Sequence, residues 1–273
     1  GELLYNRIAP IYSELGGQRN DAALDNTLLH LLGARYVVAT QPISNTGYSL
    51  VYDDEVKIYE NANAFPRAFI AQEAVAAANQ EAALDRLQQV DARNVVVVEG
   101  LAESDLPPPS SPQIREVQFS SRENREFFID VNISDRGWLV VTDNFFDGWK
   151  AYLRPFGASG EGVNESGQSV ETQLPIYRAD GTFRGVYLPE AGQWTVRFVY
   201  SPRSVLLGVY LSFLAAITLI LLLGWWAWGR FYKGEGSEVG TVAKNSAVQV
   251  VMSLMNRAID FAFAMMRLRV LSP

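Results

Sequence analysis

The chain has 273 residues, 48% hydrophobic and 19% charged, with a net charge of −7, no cysteine and one histidine. The missing thiols exclude disulfides, thiolate zinc sites and cysteine nucleophiles, and His30 alone gives a histidine triad or metal cluster little to draw on. Residues 1–204 carry 17 Lys+Arg and 27 Asp+Glu, a balance of −10, which repels phosphates and argues against a nucleic-acid partner, while residues 205–273 carry 6 and 3, a balance of +3 that suits anionic lipid on the cytoplasmic side.

In chain order, Asp21 to Leu32 places Leu24, Leu28 and Leu31/Leu32 along one helical face, and Gly33 stands where a C-terminal stop belongs. Arg35 to Ala39 is short and β-branched, as a strand is, and Val56 to Tyr59 reads as another. Glu73 to Val90 is alanine-rich, with Ala77, Leu84 and Leu87 on a helical stripe. Asn94 to Glu99 is the apolar run of a strand buried on both faces. Residues 1–106 are thus expected to form a small mixed α/β subdomain. The run Leu106-Pro107-Pro108-Pro109-Ser110-Ser111-Pro112 cannot continue a helix or a central strand, so 107–112 is expected to be a stiff linker.

Residues 113–203 read as an antiparallel β-sandwich. Phe127, Ile129, Val131 and Ile133 alternate with Phe128, Asp130 and Asn132. Trp138 to Thr142, Gly148 to Leu153, Phe183 to Leu188 and Trp194 to Tyr200 follow as short strands between turns. In the last, Trp194, Val196, Phe198 and Tyr200 share one face. Residues 157–169 are polar and glycine-rich and predict a mobile loop.

Val205 to Trp228 carries no charge, which predicts one transmembrane helix over 204–229. Trp225, Trp226 and Trp228 crowd one end, where indoles favour the membrane interface. Arg230 and Lys233 follow, so the positive-inside rule puts residues 1–203 outside the cytoplasm, with 230–240 as a cytoplasmic linker. The tail, 241–273, is expected to be an amphipathic or truncated membrane helix carrying Arg257 and Asp260. The whole predicts an α+β protein anchored in the cell membrane by a single span. The opening at Gly1 and the close at Leu271-Ser272-Pro273 lead us to expect a fragment, with upstream membrane helices exporting the body.

Several side chains are candidates for chemistry, each beside a plainer reading. Trp138, Trp149, Trp194 and Tyr187 make either a sugar-stacking platform or the sandwich core. Of these, Trp149 beside Asp147-Gly148 is the candidate for glycan contact, with Asp147 next to it. Asp143 and Asp147 flank Asn144-Phe145-Phe146 and suit either a cation or a turn. Asn61 and Arg67 are candidates to hold a substrate phosphate or carboxylate, or to make structural pairs. His30 reads as a packing or surface residue, and Asp53-Asp54-Glu55 as a solvated turn. The sequence holds no Gly-Lys-Ser/Thr phosphate loop, no Gly-x-Ser-x-Gly elbow and no His-Glu-x-x-His, and neither a catalytic residue, a metal nor a cofactor is expected in this chain.

Ordered motifs carry a resemblance. Leu31-Leu32-Gly33-Ala34-Arg35-Tyr36-Val37-Val38, then Tyr59-Glu60-Asn61 with Phe65-Pro66-Arg67-Ala68, then Asp147-Gly148-Trp149-Lys150-Ala151 and Phe183-Arg184-Gly185-Val186 resemble the C-terminal periplasmic region of YfhO-type bacterial membrane proteins. Pro189 to Gly192, followed by Val196, Phe198, Tyr200 and Pro202 before the membrane helix, continues the likeness, which spans roughly residues 20–230. That family is similar to the GT-C class of glycosyltransferases. The resemblance implies an extracytoplasmic accessory domain of a polyprenyl-phosphate-sugar-dependent glycosyltransferase in envelope polysaccharide assembly. Its catalytic carboxylates would lie in an early outer loop that this chain does not contain. Two departures stand out: Leu153-Arg154-Pro155-Phe156 where the family has an Asp-Gly turn, and Trp194 where a histidine is common. In the tail, Ala243 to Ala247, Asn256 to Phe263 and Arg267 to Pro273 resemble the opening helix of polysaccharide flippases. The partners implied are the lipid bilayer, a lipid-linked glycan and other envelope-polysaccharide membrane proteins. A membrane-tethered carbohydrate-binding module and a structural scaffold for polysaccharide export are the alternatives.

Overall fold

A computed structural model describes residues 24–122, 125–157 and 170–231, together with positions 249, 253, 256, 257 and 260. The chain divides into two compact units, 1–201 and 202–273.

The first unit is α+β. Helix α1 (Thr27–Leu31) starts at Asn26, whose side chain accepts the Leu28 N–H at 2.9 Å, satisfying one of the donors a helix start leaves open. It ends at Gly33, whose φ of +70° is the left-handed conformation expected of a helix stop. The expected helix from Asp21 is therefore shorter within the described residues; 21–23 lie outside them. Strands β1 (Tyr36–Ala39), β2 (Tyr48–Asp53) and β3 (Lys57–Asn61) form a small antiparallel sheet in the order β1-β3-β2.

Next come β4 (Ala68–Ala71), β5 (Glu73–Ala77), helix α2 (Gln80–Leu87) and β6 (Val95–Glu99). The single helix expected over Glu73 to Val90 is instead a strand and a helix. β5 lies parallel to β6, with Val75 opposite Val97, and this pairing overrides the helix preference of its alanines. Asn79 then breaks the run in an extended conformation and caps α2, its Oδ1 accepting from Ala82 N at 2.9 Å. Ala77, expected on the helical stripe with Leu84 and Leu87, closes β5 instead.

The remaining strands are β7 (Arg115–Arg122), β8 (Glu126–Ile133), β9 (Gly137–Val141), β10 (Trp149–Pro155), β11 (Thr172–Leu174), β12 (Tyr177–Ala179), β13 (Phe183–Leu188) and β14 (Gly192–Tyr200). They complete a five-stranded sheet, β11-β10-β14-β8-β7, and a six-stranded sheet, β4-β9-β13-β12-β6-β5. One core joins the two: Phe127, Ile129, Val131, Ala151, Val196 and Phe198 from the first meet Ile70, Leu139, Val141, Val186 and Leu188 from the second. That is the sandwich. The opposite face of the six-stranded sheet carries a second core, in which Trp138, Val140 and Phe183 pack with Leu28 and Leu31 of α1 and Ala83 and Leu87 of α2. Strand alternation sorts the two: along β9, Trp138 and Val140 join one core, Leu139 and Val141 the other. In β14, Val196 and Phe198 are buried as expected, whereas Tyr200 stands exposed at the strand end.

The linker expected at 107–112 does not divide the body. Strands β4, β5 and β6 before it share a sheet with β9, β12 and β13 after it. The segment is also docked: Ser110 donates from N and Oγ to Gln72 O at 3.1 and 3.0 Å, and Ser111 N donates to Asp135 at 3.3 Å. It carries no helix or strand and lies against the body. The expected loop 157–169 lies outside the described residues beyond Gly157.

In the second unit, helix α3 (Arg203–Phe231) contains Leu207–Arg230, long and apolar enough to cross a membrane, with a mean hydropathy of 2.4. Leu207, Leu214, Leu219 and Trp226 are all exposed, and Trp225 is 82% exposed. A helix apolar on every side suits lipid as its solvent. The tail expectation for 241–273 lies outside the described residues, except that positions 249, 253, 256, 257 and 260 are each helical.

Candidate functional site

Two of the four expected contact residues meet in one cluster at the end of the sandwich, and the sequence reading missed its centre. Strand alternation places Arg184 of β13 on the same side as Val186 and Leu188, inside the sandwich, where it is only 4% exposed. Its guanidinium carbon lies 4.2 Å from the Trp149 ring centroid and 5.4 Å from that of Phe127. Its Nε donates to Asn144 O at 3.2 Å, and its Nη2 stands 3.6 Å from Asp143 Oδ2. Asp143 also accepts from Arg67 Nη1 at 3.1 Å. A buried guanidinium needs such partners, because the charge cannot be shed at ordinary pH.

The loop carrying these groups is held at both ends. Thr142 N donates to Arg67 O at 2.9 Å, and Phe145 N donates to Thr182 O at 2.7 Å. Arg178 lies 4.9 Å over the Phe145 ring. Asp143 therefore faces two guanidiniums, and a cation shared with Asp147 would have to displace them. Asp147 itself is exposed in the same loop. Among the described residues, no group of three histidine or carboxylate side chains is gathered as a metal would require.

Trp149 is half-buried. Besides Arg184 it touches Phe127 edge-on, with centroids 5.4 Å apart, and Tyr200 at 5.2 Å. One indole face is thus committed to the guanidinium, which limits it as an open stacking surface. Trp138 is fully buried against Tyr187 and Tyr177. Trp194 packs partly buried against the sandwich core.

Asn61 serves elsewhere. It is 3% exposed at the end of β3, and its Nδ2 donates to Ala34 O at 3.0 Å and lies 3.1 Å from His30 Nδ1. Its Oδ1 accepts from Asn63 N at 3.0 Å, which fixes the amide orientation and makes His30 Nδ1 an acceptor, with the ring proton on Nε2. Burial lowers the His30 pKa, with Asp25 opposing and Arg93 adding to the effect. Asn61 and Arg67 thus have different partners and do not form a common anion clamp.

Two further polar centres lie outside the residues the sequence singled out. On the outer face of the five-stranded sheet, Arg197 donates from Nε and Nη2 to Glu171 at 2.9 and 2.6 Å and from Nη1 to Glu126 at 2.9 Å. The Glu171 side chain is 3% exposed, and Arg154 Nη1 lies 3.6 Å from it. Burial alone would lower the Arg197 pKa, but the bonds to Glu171 and Glu126 carry it above its ordinary value. The second centre is Asp180, at the turn joining β12 and β13. It is 1% exposed with a φ of +49°, followed by Gly181 at +82°. Its Oδ1 accepts Val97 N at 2.9 Å, and its own N donates to Val97 O at 2.8 Å. Burial pushes its pKa up to about 7. The Asp-Gly pair is a legible hairpin signal and was the clue available in the sequence.

These features define a class: an α+β body with a two-sheet sandwich, buried arginine–carboxylate clasps, and one C-terminal apolar helix able to span a membrane. No family model, curated protein or solved structure matches the chain.

Proposed function

We propose that this chain is the extracytoplasmic accessory part of a polyprenyl-phosphate-sugar-dependent membrane glycosyltransferase of the cell envelope, tethered by α3 and without a catalytic site of its own. The observation that carries the proposal is the apolar helix Leu207–Arg230 directly following an acidic folded body. Arg230 closes the span and Lys233 follows it, which supports a cytoplasmic end there. The YfhO-type motifs support the glycosyltransferase connection, and the flippase-like tail supports a place beside polysaccharide export.

The absence of cysteine makes the topology directly testable. Ser104→Cys, at an exposed position, should react with a membrane-impermeant maleimide in intact cells. Lys233→Cys should react only after permeabilisation. The reverse pattern would overturn the outside placement. For the activity, membranes holding the chain with upstream spans should transfer sugar from a polyprenyl-phosphate donor, and the chain alone should not. Transfer by the chain alone would defeat the accessory role.

A further inference from the structure

An open groove of about 230 Å³ is lined by Phe65, Pro66, Phe69, Ile70, Arg93 and Arg115. Its floor is apolar: Phe65 and Ile70 are buried, and Phe65 meets Phe69 edge-on with centroids 5.1 Å apart. Its rim holds two exposed guanidiniums. Each is held in place by neutral groups. Arg93 Nη2 donates to Asn63 O at 2.8 Å, and its guanidinium lies 4.6 Å over the Phe65 ring. Arg115 Nη1 donates to Asn94 Oδ1 at 2.9 Å and lies 3.4 Å from Ile70 O. Asn94 is itself oriented by Asp91, which accepts its Nδ2 at 2.6 Å. Neither arginine has a carboxylate partner within ion-pair reach among the described residues, in a protein whose acids outnumber its bases 30 to 23. Arg35, Arg67, Arg86, Arg154, Arg184 and Arg197 all have one.

We propose that this groove binds a single sugar ring bearing a carboxylate or phosphate, the oxyanion bridging Arg93 and Arg115 and the ring resting on Phe69 and Pro66. A guanidinium presents a planar fork that fits either oxyanion in two-bond geometry, and here both forks are already oriented. The C–H face of a sugar is apolar enough to cover the aromatic floor. The volume lies below the roughly 300–1,000 Å³ of larger ligand sites, which favours one ring over a chain. The sugar part of this proposal rests on the envelope-glycan reading; the oxyanion part rests on the two arginines alone.

The test is calorimetric titration of the full chain in lipid nanodiscs with four probes: D-glucuronate, D-glucose 1-phosphate, D-glucose and inorganic phosphate. At least one anionic sugar should bind ten-fold or more tightly than glucose and than inorganic phosphate, and the two anionic sugars distinguish a carboxylate from a phosphate preference. Arg93→Gln and Arg115→Gln should each weaken that binding at least ten-fold, with thermal melts unchanged. If a variant fails to fold, the probe ranking of the unmodified chain still decides. Equal binding of glucose, or of inorganic phosphate, overturns the proposal, as does no binding of either anionic sugar. Anionic-sugar binding that survives the double Gln variant overturns the groove while leaving the glycan reading intact.

Discussion

Asp180 gives a sharp test of how burial sets stability here. Its carboxyl sits at the β12–β13 turn, 1% exposed, with Oδ1 bonded to Val97 N and no partner for Oδ2 among the described residues. Burial raises its pKa from 3.8 to about 7, the Val97 bond opposing. Between those values the folded chain holds a proton that the unfolded chain has released, so stability falls as pH rises from about 4 to about 7 and is level above. At about 1.4 kcal/mol per pH unit, the ceiling of the loss is roughly 4 kcal/mol. Asp180→Asn removes the charge and keeps an oxygen for Val97 N, and asparagine tolerates a positive φ. At pH 4 the two chains should be similar, since a neutral carboxyl and an amide leave the same position unbonded. At pH 8 the variant should be more stable by up to that ceiling. His30 acts in the opposite sense: its lowered pKa means stability is lost as pH falls below 6.5, but it does so in both chains and cancels in the difference. The assay is urea unfolding of both full chains, followed by tryptophan fluorescence from pH 4 to 8. Parallel stability curves across that range would refute the argument, and a variant losing ground as pH rises would refute it more strongly.

Arg197→Met strips Glu171 of its bidentate partner while Arg154 remains 3.6 Å away, so a loss of about 3 kcal/mol is expected in denaturant midpoints. Gly137→Ala sets a Cβ 2.8 Å from Ile70 Cγ2 and 3.2 Å from Ala71 O, and about 1–3 kcal/mol of destabilisation should appear as a lower melting temperature. Leu219→Lys puts a charge in the middle of α3, costing about 2.5–3.5 kcal/mol of insertion, and should raise the fraction released by alkaline carbonate; unchanged extraction would count against a spanning helix.

The sandwich was legible because its strands declare themselves by alternation. Phe127, Ile129, Val131 and Ile133 are buried in β8 as their spacing required, and Val95–Glu99 is a strand covered on both faces. The apolar helix was legible because Val205 to Trp228 carries no charge, a run that local periodicity reads directly as one long helix. What failed was decided by distant partners. β5 is a strand only because β6 lies beside it, and local alanine preference points the other way. The proline segment reads as a linker because its grip on the body comes through Ser110 and Ser111, bonded to Gln72 and Asp135 far off in sequence. The site was half legible. Trp149 and Arg67 do fall in one cluster, but Arg184, which links them, lies in a strand apolar on both faces, with Val186 and Leu188 on its own side and Phe183 and Tyr187 on the other, so the run does not mark it as a site residue. Asn61 reads as a binding residue only until its amide is seen spent on Ala34, Asn63 and His30.

The six-stranded sheet takes strands from both sides of the proline segment, and that sets a schedule for synthesis. β4 has its neighbour in β9, and β6 has one side closed only by β12. A nascent chain that has reached only residue 112 carries bare strand edges, of the kind that invite pairing with other chains. The sheet can close only once β13 has emerged, shortly before the apolar helix itself is made. Completion of the sheet and synthesis of the apolar helix are thereby brought into the same short interval.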